Sequence, residues 1–174
     1  MTTITPTGRR ERRGDRDYVV LTRAFRAPVE DVWAAVTEPE RLERWIGTWT
    51  GDPSTGQVAF RMTAEGEDAE AEIQRIDVCE PPHRLVTRSV TPGPDGTGEI
   101  EWVLELDLTE SDGVTTLTFA QVVHDAEMAS TVGPGWEYHL DRLVAAETSA
   151  EVADVSWDDY YPGLSDHYRS LFGS

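Results

Sequence analysis

The stretch from Pro134 to Glu151 constrains this 174-residue chain most. Trp136, Leu140, Leu143 and Val144 recur at i, i+4, i+7 and i+8, one apolar stripe of an α-helix. Glu137, Asp141, Arg142 and Glu147 stand off that stripe, and Pro134-Gly135 marks the expected start. Burying four such side chains contributes about 1.5–3 kcal/mol each, so the helix needs a surface to lie on. The partner available upstream is a run of amphipathic strands.

Residues 99–108 are the clearest strand. Ile100, Trp102, Leu104, Leu106 and Leu108 alternate with Glu99, Glu101, Glu105 and Asp107, which predicts a buried face and a wet acidic one. Asp112-Gly113 is a hairpin signal, and residues 115–123 return with Leu117 and Phe119 inward. Earlier, Val58, Phe60 and Met62 alternate with Ala59, Arg61 and Thr63. A turn at residues 65–68 follows, then Ala69, Ala71 and Ile73 alternate with Glu70, Glu72 and Gln74. The phase slips at Gln74-Arg75, as at a bulge, and Pro81-Pro82 turns the chain into a strand over 85–90. Residues 92–96 read as a loop.

A first strand covers 17–25, and two short helices follow it. Pro28 opens one, with Val29, Val32, Trp33 and Val36 on one face; Pro39 opens the other, with Leu42, Trp45 and Ile46. Residues 47–56 read as a loop carrying Trp49. After the long helix, Trp157 and residues 158–163 lead to a short helix with the stripe Leu164, Tyr168, Leu171 and Phe172, an aromatic tail expected to pack back on the domain. Short connections imply an antiparallel meander. The expected organisation is a flexible basic leader over 1–16, carrying Arg9, Arg10, Arg12, Arg13 and Arg16, and a single domain over 17–174.

Net charge is −18, which argues against nucleic-acid binding and against docking on anionic membranes. Without an apolar run long enough to span a bilayer or a signal-peptide core, and with Cys79 alone, the expected location is the reducing cytoplasm.

The order of elements is the helix-grip arrangement: α+β, with an antiparallel sheet curved around a long C-terminal helix and two short helices after the first strand. The stretch from Arg23 to Trp33, Thr37-Glu38-Pro39 and Leu42-Glu43-Arg44-Trp45 resembles the SRPBCC (START-like) superfamily. More narrowly, it is similar to the group named for the C-terminal domain of the activator of heat-shock-protein-90 ATPase. Residues 77–85, ending Glu80-Pro81-Pro82-His83-Arg84-Leu85, and Gly135-Trp136 followed by Leu140-Asp141-Arg142-Leu143 agree with that resemblance. It implies a hydrophobic cavity between the sheet and the last helix. Relatives include lipid and hormone carriers, polyketide cyclases and aromatases, resistance proteins and co-chaperone domains, so fold alone assigns no activity.

Under that geometry Trp45, Trp49, Phe60, Met62, Trp102, Phe119, Trp136 and Leu140 are the candidate cavity walls, with His139 at the edge of the stripe. The competing reading is that they fill a closed core. His139 is the best-placed candidate for acid–base work, against a boundary histidine that bonds locally. His83, His124 and His167 read as structural or exposed. No serine elbow, phosphate loop, dinucleotide fingerprint or metal-ligand spacing occurs, so no cofactor and no metal are expected.

The sequence therefore favours binding of a small hydrophobic molecule without chemistry. One alternative is a cyclase, dehydratase or hydrolase acting on a polyketide-like substrate, with His139 as acid–base catalyst and Arg61 or Arg88 as oxyanion or carboxylate partners. The other is a co-chaperone-like module presenting Glu99, Glu101, Glu105 and Asp107. Oligomeric state leaves no mark in the chain.

Overall fold

The computed structural model describes residues 4–66, 69–93 and 95–173. Its strands are β1 (Arg9–Arg13), β2 (Arg16–Phe25), β3 (Thr48–Thr50), β4 (Gln57–Arg61), β5 (Glu72–Glu80), β6 (Arg84–Pro92), β7 (Glu99–Ser111) and β8 (Val114–Val123). Its α-helices are α1 (Val29–Thr37), α2 (Pro39–Leu42), α3 (Ala126–Ala146) and α4 (Ser165–Leu171). The strands form one antiparallel sheet in the order β1-β2-β8-β7-β6-β5-β4-β3. With α3 as the long C-terminal helix, this is the α+β helix-grip fold.

Local chemistry sets the connections. Asp112 and Gly113 both take positive φ, 53° and 78°, as the tight turn between β7 and β8 requires, and their right-handed twist suits a hairpin. Pro28 caps α1 and Glu30 and Asp31 occupy its first turn, where the helix dipole favours carboxylates. The main core lies between the sheet and the helices. Val19 and Leu21 of β2, Leu117 and Phe119 of β8, Val32 and Val36 of α1, and Leu140 and Leu143 of α3 form one buried cluster.

Several expectations change. Residues 9–13 of the expected flexible leader form β1, paired with β2 from Arg9↔Val20 to Arg13↔Arg16. Nearby carboxylates take up its positive charge: Arg10 and Arg12 bond Asp17 at 3.0 and 3.3 Å, and Arg13 bonds Glu11 at 2.6 Å and Glu105 at 3.3 Å. Trp49, expected in a loop, lies in β3 opposite Phe60. The bulge in β5 falls between Ile76 and Val78, not at Gln74-Arg75. Glu67, Asp68 and Pro94, assigned to turns, lie outside the described residues.

The long helix begins eight residues earlier than Pro134. Asp125 caps it, its carboxylate accepting from Met128 N at 2.7 Å, and Pro134 sits inside. A proline there gives up one i→i−4 hydrogen bond. Burial of Ala129, Ser130, Gly133 and Pro134 holds that part of the helix in place. It ends at Ala146, and Glu147 just beyond it is bonded by Arg41 and Arg44 of the α2 region. Glu137, expected off the buried stripe, is 1% exposed; its carboxylate accepts from Thr7 N at 3.1 Å and from the Thr7 hydroxyl at 2.5 Å.

The sheet face opposite α3 is not a simple wet surface. Tyr18, Val20, Val86, Val103, Ala120 and Val122 make a second apolar cluster there. Glu105 is buried and bonded by Arg84 at 2.6 Å, and Asp107 by the same Arg84 at 2.7 Å. The Arg13 guanidinium lies 4.7 Å over the Tyr18 ring.

Candidate ligand cavity

A cavity of about 840 Å³ opens between the sheet and α3. Ligand pockets of roughly 300–1,000 Å³ hold small organic molecules, so this one is of adequate size. Gln74 of β5, Ser89 and Thr91 of β6, Trp102 and Leu104 of β7 and Gln121 of β8 line the sheet side. From α3 come Thr131, Val132, Gly135, Trp136, Tyr138 and His139. Met62 and Ala64 after β4, Glu72 and Trp157 complete the wall.

The wall is aromatic and internally braced. Phe119 lies behind Trp136 with ring centroids 4.0 Å apart, and the Trp136 indole N–H donates to Gln121 Oε1. The Trp102 indole N–H donates to the Thr91 hydroxyl at 2.8 Å. Tyr138 meets His139, Trp157 and Tyr160 at centroid distances of 5.1, 5.4 and 5.6 Å. Its hydroxyl accepts from Arg142 at 3.3 Å.

His139 is 7% exposed, and burial holds its pKa down to about 4, with the Arg142 cation adding to the effect. The imidazole is therefore neutral at neutral pH. Two buried atoms of the wall residues, His139 Nδ1 and Gln121 Nε2, have no hydrogen-bond partner among the described residues. Such a group costs about 1–3 kcal/mol when nothing pairs with it.

Of the residues singled out from the sequence, Met62, Trp102, Trp136 and His139 come together on the cavity wall. Phe119 and Leu140 lie in the core, 2% and 1% exposed, with Phe119 acting on the cavity only through Trp136. Trp45 is also core, its indole donating to Ala35 O at 3.0 Å. Trp49 donates to Thr37 O at 2.7 Å, and Phe60 packs against the core beside it. These five are not among the residues lining the cavity.

The polar wall escaped sequence reasoning. Alternation on β5 and β6 points to Ile73 and Val90 as inward, yet they are 50% and 49% exposed, while Gln74, Ser89 and Thr91 line the cavity. On these strands the face toward α3 borders a cavity rather than a packed core, so apolar alternation misidentifies it. Trp157 was visible as an aromatic in the tail, with nothing in the sequence to bring it to the cavity.

An α+β helix-grip protein with an aromatic-walled cavity under its long helix is thus defined by fold and site. The chain belongs to the family of Activator of Hsp90 ATPase homolog 1-like proteins, whose model matches residues 26–147. It is similar to the crystal structure of CalU16 from Micromonospora echinospora, at 26% identity over 98% of both chains with a TM-score of 0.69. It is also similar to DynU16, from the dynemicin biosynthetic locus, at 25% identity and a TM-score of 0.55, over 78% of this chain and 49% of that one. A conserved protein of unknown function from Enterococcus faecalis shares the fold, at 20% identity over 95% of this chain and 88% of that one, with a TM-score of 0.66. Among curated proteins, no match is found. Among the described residues no helix is long and apolar enough to cross a membrane.

Proposed function

We propose that this protein binds a small hydrophobic molecule in the cavity between the sheet and α3, without chemistry of its own. The carrying observation is the cavity of about 840 Å³ walled by Trp102, Leu104, Trp136 and Tyr138. A wall that is mostly apolar with a few buried polar groups is the usual form of a small-molecule site. Likeness to DynU16 fits a ligand drawn from a biosynthetic locus. The exposed thiol of Cys79 suits a reducing compartment such as the cytoplasm.

Catalysis by His139 has less support. A general base works best with a pKa near the operating pH, and burial holds this imidazole down to about 4. Arg61 is exposed and Arg88 is committed to Asp77 at 3.1 Å; neither belongs to the cavity wall. The co-chaperone reading has less support too, because two of the four carboxylates of its acidic face, Glu105 and Asp107, are paired with Arg84.

Gly135 supplies the test. It lines the cavity from α3, and a Cβ there meets nothing within 4 Å. Nile red, a neutral apolar dye, should bind the wild-type protein saturably with a rise in fluorescence. Gly135→Phe, with an unchanged circular dichroism spectrum, should weaken that binding about tenfold or more. Equal dye affinity in the two proteins would contradict the proposal.

A further inference from the structure

Four large apolar side chains stand exposed among the described residues: Ile73, Val90, Trp157 and Tyr161. Trp157 lines the cavity and Tyr161 stacks on it, which accounts for two of them. Ile73 and Val90 serve neither the cavity nor the core. They lie on the sheet face turned away from α3. Glu72 and Gln74 of β5 and Ser89 and Thr91 of β6 line the cavity, and side chains alternate along a strand.

Register makes the two residues one patch. Ile73 pairs with Ala59 of β4 and Val90 with Glu101 of β7, and partners across an antiparallel ladder share a face. Carried on by two residues, the Arg75↔Arg88 pairing of β5 and β6 brings Ile73 level with Val90. The row across the outer face is therefore Ala59, Ile73, Val90 and Glu101. Two residues further along the same way stand Arg61 on β4 and Glu99 on β7. Both are exposed, and neither forms an ion pair among the described residues. The patch is apolar at its centre, basic on one flank and acidic on the other, which makes it complementary to itself.

A two-fold axis along the strands, between two sheets stacked face to face, sets β4 of one copy over β7 of the other and β5 over β6. Ile73 then meets Val90, and Arg61 meets Glu99. Arg75 meets Arg88, whose charge Asp77 already takes up at 3.1 Å. We infer that the outer face of β4–β7 is the interface of a symmetric dimer, its partner a second copy of this chain. The net charge of −18 opposes association at low salt. At about 0.15 M salt that repulsion reaches only about 8 Å, and the contact pairs decide.

Sedimentation velocity in about 0.15 M salt tests the dimer. The wild-type protein should self-associate with a dissociation constant of about 1–100 µM, as suits a small, partly polar interface. Val90→Asp, at a half-exposed position and with an unchanged circular dichroism spectrum, should weaken the dimer about tenfold or more. Arg61→Glu and Glu99→Arg should each weaken it about tenfold, because each substitution counts twice across the two-fold axis. The first makes the chain more negative and the second less so, and an effect of net charge alone would move them in opposite directions. Arg61→Glu combined with Glu99→Arg reverses the pair and should return to within about threefold of wild type. A monomer at every concentration up to about 500 µM would overturn the inference. So would a dimer that ignores Val90→Asp, or a double variant as weak as the single ones.

Discussion

Gly133 of α3 and Tyr168 of α4 occupy one space: a Cβ on Gly133 would lie 2.2 Å from the ring of Tyr168, which is fully buried. The same ring's hydroxyl accepts from Gly8 N at 3.0 Å. Burial, together with the negative charge of Glu137 nearby, pushes the Tyr168 phenol well above its ordinary pKa, so it stays protonated. The aromatic tail and the N-terminal segment are therefore both fastened to the helix that walls the cavity.

Two glycines of α3 should respond in opposite directions to the same substitution. Gly133→Ala gains helix propensity of about 1 kcal/mol but forces a buried ring to move, at about 1–3 kcal/mol or more. Its denaturant midpoint should fall. Gly135→Ala meets open space and should gain about 0.5–1 kcal/mol. Urea unfolding of the two variants checks this, and a more stable Gly133→Ala protein would refute the packing described.

Glu137 is a buried anchor. It accepts from Thr7 N and the Thr7 hydroxyl and lies 3.8 Å from Arg23, which also bonds Asp141 at 3.1 Å. Glu137→Ala leaves those donors unpaired and should cost about 2–4 kcal/mol. Amide hydrogen exchange should quicken at Thr7 and along β1 before the rest of the sheet. Unchanged protection there would show that the carboxylate does not hold the segment.

His139 gives a dependence of stability on pH. Its folded pKa of about 4 lies below the ordinary 6.5, so between those values the unfolded chain binds a proton that the folded chain does not. Stability from this group is complete above pH 6.5, falls as pH drops toward 4, and levels off below. The loss is about 3 kcal/mol across that window. His139→Phe should remove this component, so the difference in stability between variant and wild type should grow in the variant's favour from pH 7 to pH 4.5. A constant difference would mean the imidazole titrates normally.

Most of the fold could be read from the chain because its strands and first helices carry local signals. The alternation from Ile100 to Leu108 and the Asp112-Gly113 turn specify β7 and β8, and Pro28 and Pro39 specify where α1 and α2 begin. Features that depend on distant partners were not legible. Arg9–Arg13 has the composition of a solvated leader, and becomes a strand because β2 offers an edge and Asp17 and Glu105 offer counter-charges. Pro134 looks like a helix start, and is tolerated inside α3 where the helix is buried. The cavity itself reverses the usual rule: Gln74, Ser89 and Thr91 face inward beside Trp102, while Ile73 and Val90 face water.

The six tryptophans report on which side chains a ligand meets. Each indole N–H gives its own nitrogen–proton NMR correlation. Trp102, Trp136 and Trp157 line the cavity, while Trp33, Trp45 and Trp49 pack at the core away from it. Adding Nile red to the isotopically labelled protein should shift the first three signals and leave the other three in place. Shifts confined to Trp33, Trp45 and Trp49, or no shifts at saturating probe, would contradict a ligand site in this cavity.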